Sequence, residues 1–370
     1  MSRAVVFLTL SACAPLGPQH ELRTPPPSTH SEFEPTSPTR PTEGEEEDAG
    51  TDTTDCPPGV ICVDALPYVH TYTSVGGTST LDGYSCAPET DESGPEVVYR
   101  VELQDDGLLT TSLSGLGDTV DVDVHILEAL DPDTCIDRGH WDAASLLPAG
   151  TYYVVVDTWV DDTDAPLEGA YTLDMVLTTA DRFQAEGLHP DVLGSALLAF
   201  DRAWSWGETW RLEYGIIDYT LPSTTPRFFV LDLRRGTLLH AVLVSHGSGS
   251  QDAGDLTLAA DLSNTHDSHA SSMGLVRCAE TYDGGHGRSM RLDGLEPGFN
   301  DNDRSRAIVV HGADYATQDF VDSYGYLGRS WGCPAVDPEI TDAILDSLSD
   351  GALLLKYWDD PQWLAGSAYL

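Results

Sequence analysis

Hydrophobic and polar positions alternate in short bursts along residues 60–180. Runs at 96–101, 120–127, 152–156 and 170–177 are rich in β-branched and aromatic residues and are separated by Gly, Asp and Pro. Short runs with turn residues between them predict an antiparallel β-sandwich. Beyond residue 188 the pattern changes. Pro190 opens a stretch in which Leu193, Leu197, Leu198 and Trp204 follow helical spacing, with the proline near the first turn. Residues 227–233 and 238–245 flank Arg234-Arg235-Gly236 and predict a hairpin. A long Ser, Gly, Asp and His-rich stretch then reads as a loop. Residues 305–312 predict a buried strand ending in His311 and Gly312, and a second loop leads to Gly-Arg-Ser-Trp-Gly-Cys-Pro-Ala-Val at 328–336. Asp337-Pro338-Glu339 predicts a capped helix start, and 352–357 a last strand. The expected class is mainly β with a few helices.

Composition narrows the function. The chain of 370 residues is long enough for more than one core, and its formal net charge of −43 opposes any default affinity for a phosphate backbone. Nucleic acid is therefore not an expected partner. After residue 12 no apolar run approaches the roughly 20 residues of a membrane-spanning helix. All but one of the 18 cations are arginines, the exception being Lys356, and most lie in the second half.

The N-terminus points to export. Arg3, the apolar run 4–10 and then Leu10-Ser11-Ala12-Cys13 look like a short lipoprotein signal peptide at 1–12, which implies cleavage before Cys13 and acylation of its thiol. Ala14 after the cysteine favours the outer membrane, facing the periplasm or the cell surface. Residues 13–55 hold the anchor cysteine and a Pro, Thr and acid-rich stretch with little to bury, which reads as a disordered tether. As a flexible coil it would span on the order of 35 Å, and about 130 Å in polyproline geometry.

The other cysteines form two groups. Cys56, Cys62, Cys86 and Cys135 in an exported domain at 56–180 read as two disulfides, with three possible connectivities. A zinc site is the alternative, disfavoured because no Cys-x-x-Cys repeats. Asp121, Asp123, Asp157, Asp161, Asp162 and Asp164 are calcium candidates without an ordered loop motif, so solvated acidic loops are preferred.

Chemistry gathers at 188–360. A histidine ending an apolar strand and a cysteine in a glycine-flanked turn are what thiol chemistry needs: the imidazole takes the proton and small neighbours admit a carbonyl. Gly332 and Cys333 are positioned to offer backbone N–H groups to a developing oxyanion. The alternative pairs Cys333 with Cys278 in a disulfide and makes His311 a satisfied strand-end residue. A metal on His266, His269, His286 and His311 is disfavoured, since no helix holds them on one face. No metal or cofactor is expected.

Two resemblances sharpen this reading. Residues 94–103, Asp121-Val122-Asp123-Val124 and 150–157 resemble the bacterial pre-peptidase C-terminal domains, jelly-roll-like accessory modules of secreted enzymes. The stretch 271–356 resembles the murein L,D-transpeptidase catalytic domain of the YkuD-like superfamily. It does so through Ser272-Met273-Gly274-Leu275, Glu280-Thr281-Tyr282, His286-Gly287, the 291–296 segment, Asn300-Asp301-Asn302, the 305–313 strand with His311-Gly312-Ala313, and Gly328 to Ala335. The resemblance implies a β-rich catalytic domain with Cys333 as nucleophile and His311 as general base. It further implies that Gly312 orients the imidazole, Ser330 fills a small hydroxyl position and Gly332 belongs to the oxyanion turn. Trp331 departs from the second histidine usual there, and Pro334 from the apolar residue after the cysteine.

The implied reaction is acyl transfer from tetrapeptide stems of peptidoglycan through a thioester. Arg291, Arg306 and Arg329 are candidates to grip stem carboxylates, with ion pairing to Asp293, Glu296 or Asp314 as the alternative. Tyr282, His286 and Trp331 are candidates to line the cleft. If water replaces the acceptor amine, the activity becomes that of an L,D-carboxypeptidase or an endopeptidase on protein-wall links. A non-catalytic wall-binding lipoprotein with Cys278 and Cys333 bridged is the remaining alternative.

Overall fold

The computed structural model describes residues 56–370. The expectations for the leader at 1–12, the anchor at Cys13 and the tether up to residue 55 lie outside them. Nine short strands come first. These are β1 (Val60–Val63), β2 (Tyr68–Thr73), β3 (Val97–Leu103), β4 (Gly107–Ser114) and β5 (Val122–Leu127), then β6 (Cys135–Gly139), β7 (Asp142–Leu147), β8 (Gly150–Thr158) and β9 (Ala170–Thr178). They build a five-stranded sheet in the order β1-β3-β8-β5-β6 and a four-stranded sheet in the order β2-β9-β4-β7.

The alternation along each strand decides which side chains face inward. Val97, Tyr99, Val101 and Leu103 of β3 meet Leu109 and Leu113 of β4 and Leu173 and Met175 of β9 in one core. One expectation is corrected: the sandwich is not wholly antiparallel, because β1 runs parallel to β3. After β1 the chain crosses to the other sheet as β2 before returning, and such a crossover permits the same strand direction. Cys56 is bonded to Cys62 and Cys86 to Cys135. Among the acids considered for calcium, Asp123 pairs with Arg138 and lies 3.0 Å from His140, and Asp157 accepts the Tyr84 hydroxyl at 2.5 Å.

The second part is one eight-stranded sheet. Its strands are β10 (Glu213–Asp218), β11 (Phe228–Asp232), β12 (Thr237–Val242) and β13 (Gly274–Gly284), then β14 (Gly287–Gly294), β15 (Val309–Gly312), β16 (Ala335–Val336) and β17 (Leu353–Tyr357). The order is β12-β11-β10-β17-β13-β14-β15-β16. Helix α1 (Pro190–Ser205) buries Val192, Leu193, Ala196, Leu197 and Phe200. Helices α2 (Gln318–Tyr324), α3 (Pro338–Leu348) and α4 (Pro361–Gly366) follow. Asp337 caps α3 by accepting the Glu339 N–H, as its sequence position predicts.

The two parts share buried apolar surface. Leu108 and Ala144 of the sandwich belong to the same cluster as α1 and the β10–β11 core. Around it the Thr110 hydroxyl donates to the Leu233 carbonyl (2.8 Å), the Trp204 indole donates to Asp137 (2.8 Å), and Arg234 pairs with Asp142 (2.7 Å).

Two further expectations are corrected. The long stretch after β12 is not all loop, since it contains the β13–β14 hairpin. Arg277, Glu280, Asp283 and flanking glycines mask the alternation of the inward-facing Val276, Cys278, Met290 and Leu292. The strand expected from residue 305 begins at Val309. Ala307 takes a left-handed φ of 55°, which no strand admits, and the Ile308 N–H turns back to the Asp303 carbonyl.

Candidate active site

Strand pairing sets the backbone of the predicted histidine beside the segment that follows the predicted cysteine. Strands β15 and β16 run parallel with His311 opposite Ala335, two residues after Cys333, and the His311 N–H reaches the Pro334 carbonyl at 3.4 Å. The His311 ring is almost fully buried and its Nδ1 bonds to the Gly312 carbonyl at 2.9 Å. A carbonyl only accepts, so Nδ1 carries the proton and Nε2 keeps a lone pair. Burial holds this imidazole below its ordinary pKa; the bond to Gly312 opposes the shift and His286 adds to it. His286, at the β13–β14 tip, stacks on His311 with ring centroids 4.4 Å apart.

Cys333 sits in a braced turn. The Ser330 hydroxyl donates to the Cys333 carbonyl (2.6 Å) and accepts from the Gly332 N–H (3.1 Å). The Gly332 N–H is thus engaged by the Ser330 hydroxyl. Gly332 has φ of 112°, and a Cβ there would lie 2.6 Å from the Ala270 carbonyl and 2.9 Å from Ile308. No side chain fits at that position. The thiol donates to the Ala307 carbonyl, with Sγ at 3.7 Å. Burial raises the thiol's pKa; a backbone bond from Val309 lowers it, Asp303 raises it, and Arg306 and Lys356 lower it.

Further contacts brace this turn from the ends of the predicted hairpin strands and from the loop residues that follow them. The Ser245 N–H donates to the Ala335 carbonyl (2.9 Å), and the Ser330 N–H donates to the His246 carbonyl (3.2 Å). Ser271 accepts from the Gly247 N–H (3.0 Å) and donates to the Gly332 carbonyl (3.2 Å). Beneath them Arg227, fully buried, donates to the His246 Nδ1 at 2.9 Å and lies 5.3 Å over the Tyr219 ring. Burial, then Arg227 and Arg329, depress His246 to about 3. The clusters Ser-His-Gly at 245–247 and Ser271-Ser272 were the only sequence signal: small and hydroxyl residues where backbones approach closely.

The predicted substrate residues separate. Arg291 pairs with Glu280 (3.2 Å) and lies 4.3 Å over the Tyr282 ring, so both residues face each other on the hairpin. Arg306 donates to the Ser263 carbonyl (2.7 Å), the Ser268 hydroxyl (3.2 Å) and the Ala270 carbonyl (2.5 Å). Those contacts are all internal. Arg329 is exposed, lies 5.9 Å over Tyr326 and makes no ion pair among the described residues. Trp331 is 74% exposed and stacks on His269 at 4.7 Å. His266 bonds to Ser305 (3.2 Å). Cys278 lies in the core and neither it nor Cys333 is bridged. Next to His311 a groove of about 560 Å³ is lined by His286, Arg288, Gly312, Asp314, Tyr315 and Asp342, among others.

Residues 184–357 match the sequence model of the family described as the L,D-transpeptidase catalytic domain. An L,D-transpeptidase from Mycobacterium smegmatis is 16% identical over 40% of this chain and 59% of its own, with a TM-score of 0.25. The pre-peptidase C-terminal domain of a collagenase from Bacillus anthracis is 16% identical over 33% of this chain and 99% of its own, with a TM-score of 0.23. An LD transpeptidase solved in complex with imipenem is 13% identical over 79% of this chain and all of its own, with a TM-score of 0.26. No curated protein matches the chain.

Proposed function

We propose that this protein is a peptidoglycan L,D-transpeptidase in which Cys333 is the nucleophile and His311 the general base. The match of residues 184–357 to the transpeptidase catalytic domain supports an enzyme of that kind. The observation that carries the residue assignment is the β15–β16 pairing, which sets His311 beside the Cys333 turn with its Nε2 lone pair unused by Gly312.

In the first half-reaction Nε2 accepts the thiol proton as Sγ leaves the Ala307 carbonyl. Such contacts tighten only when substrate is bound. The thiolate attacks the carbonyl after the L-centre of the diaminopimelate residue in a tetrapeptide stem. The Cys333 N–H remains as the turn's donor to the oxyanion. Collapse breaks the bond to D-alanine, whose amine takes the proton from His311, and leaves a thioester. In the second half-reaction an acceptor amine loses its proton to His311 and expels the thiolate. Water in place of the amine gives carboxypeptidase activity from the same groups. Arg329, exposed and without an ion pair among the described residues, is a cation for a stem carboxylate, and the groove beside His286 gives room for a peptide.

Lipidation at Cys13 and an outer-membrane location complete the proposal and rest on residues 1–55. A wall-binding role without catalysis needs a Cys278–Cys333 bridge, and the burial of Cys278 in the sheet core speaks against one. Mass spectrometry of tetrapeptide muropeptides incubated with wild type and with Cys333→Ala tests the reading. D-alanine loss with a crosslinked dimer, both abolished in the variant, is the expected result. D-alanine loss alone indicates hydrolysis, and no change with folded wild type refutes the enzyme.

A further inference from the structure

The loop preceding β15 carries two arginines with opposite surroundings. Arg304 is neutralised on the surface by Glu280 (3.0 Å) and Asp293. Arg306, half-buried two residues later, touches only neutral oxygens: the Ser263 and Ala270 carbonyls and the Ser268 hydroxyl. Its charge is cancelled by no contacting carboxylate. The same Ala270 carbonyl presses against Gly332, and the residue after Arg306 offers its carbonyl to the Cys333 thiol. Arg306 is therefore anchored to both sides of the cysteine.

We propose that Arg306 is a positioning residue for Cys333, a fixed positive charge beside the sulfur that favours the thiolate, and not a clamp for substrate carboxylates. This rests on the assignment of Cys333 as nucleophile. A partly desolvated sulfur needs such a charge, because removal from water penalises the anion and a nearby cation offsets the penalty.

The other charged and titratable groups around the thiol are accounted for. Lys356 of β17 and Asp303 of the same loop also act on Cys333, but they are directly paired, with Ser272 bridging at 2.5 Å to Lys356 and 2.6 Å to Asp303. Of the two, Asp303 acts the more strongly on the thiol and raises its pKa, and Lys356 opposes it. Tyr219 after β10 and Tyr315 after β15 are held above their ordinary pKa by burial, at about 12 each, and stay neutral near pH 7. His311 on β15 is held neutral by burial. Arg306 is the cation here that contacts no carboxylate, and it lowers the Cys333 pKa against the effects of burial and Asp303.

The test is the pH dependence of iodoacetamide alkylation of Cys333 in the purified full chain, followed by peptide mass spectrometry, for wild type, Arg306→Gln and Arg306→Lys. The charge model expects the Gln variant to raise the alkylation midpoint by about one pH unit and to slow alkylation at pH 7 about tenfold. It expects the Lys variant, which loses the forked contacts and keeps the charge, to hold the wild-type midpoint. A folded Gln variant with an unchanged midpoint overturns the proposal. So does a Lys variant shifted upward by a full unit, which would assign the effect to loop anchoring. If the Gln variant does not fold, Arg306→Met, which keeps the aliphatic stem without the charge, takes its place and is read in the same two ways. Alkylation reads the thiol without any stem peptide. An inactive enzyme with the expected midpoints would therefore refute the transpeptidase reading and leave this proposal standing.

Discussion

Acidification should destabilise this protein through His246, by an amount that follows from its surroundings. The side chain is 2% exposed and its Nδ1 accepts a hydrogen bond from Arg227. Protonating it would place a second cation 2.9 Å from a buried guanidinium. The folded state therefore binds this proton only near pH 3, whereas the unfolded chain binds it at the ordinary 6.5. Between those values the unfolded state holds more protons, so stability rises with pH across the window and falls as pH drops below 6.5. Between pH 7.0 and 4.5 the single group contributes a loss of about 2.5 kcal/mol. Asparagine is neutral throughout, and its Oδ1 can accept from Arg227 in place of Nδ1. Urea unfolding of wild type and His246→Asn at pH 7.0, 5.5 and 4.5 isolates the effect. The wild type should lose about 2.5 kcal/mol more than the variant across that range. Parallel curves for the two proteins would refute a neutral, Arg227-bonded His246.

Three other outcomes are expected. Ser330→Ala leaves the Gly332 N–H and the Cys333 carbonyl without their hydroxyl partner; it should cost about 1–3 kcal/mol in urea melts. D-alanine release should slow about 100-fold in the same variant, because the nucleophile's turn is no longer held in place. Gly332→Ala forces a Cβ to 2.6 Å from the Ala270 carbonyl at a φ of 112°, so it should lower the thermal midpoint and abolish D-alanine release together. Replacing Cys86 and Cys135 by serine opens a crosslink spanning 49 residues, worth about 4 kcal/mol on chain-entropy grounds, and differential scanning calorimetry should show the loss.

The sequence made most of this architecture legible where one physical signal dominated. The N-cap and proline at Asp337-Pro338 and the spaced leucines of α1 announce their helices, and uninterrupted apolar runs announce β11, β15 and β17. The β13–β14 hairpin was obscured because its outer face carries Arg277, Glu280, Asp283, Arg288 and Arg291, and its ends are glycines. Polar alternation with glycine reads as loop until a neighbouring strand supplies the other half of the core. Ala307 illustrates a different limit. Its left-handed backbone goes with the local Asp303–Ile308 bond, and Asp303 is in turn held by Ser272 and Lys356, which lie more than 30 positions away. The positions of His311 at a strand end and Cys333 in a glycine-flanked turn were legible, but the contacts of Arg227, Ser245 and Ser271 depend on the fold bringing three loops to one turn.

Charge distribution links fold to site. A chain with net charge −43 should repel the carboxylates of an anionic peptide, yet its cations are not spent evenly. Arg211, Arg234, Arg235, Arg277, Arg288, Arg291 and Arg304 all contact carboxylates, so their charges are locally cancelled. Arg227 and Arg306 contact neutral acceptors, and Arg329 makes no ion pair among the described residues. All three border the 328–334 turn or the segments that brace it. These three arginines keep their charge around the turn where the proposed reaction forms a thiolate and docks a carboxylate, as Arg182, which donates to the Gly236 carbonyl, does elsewhere. Coulomb interactions at the partly buried turn are screened less than those on the open surface, so a few uncompensated arginines there outweigh a larger acidic excess spread through solvent.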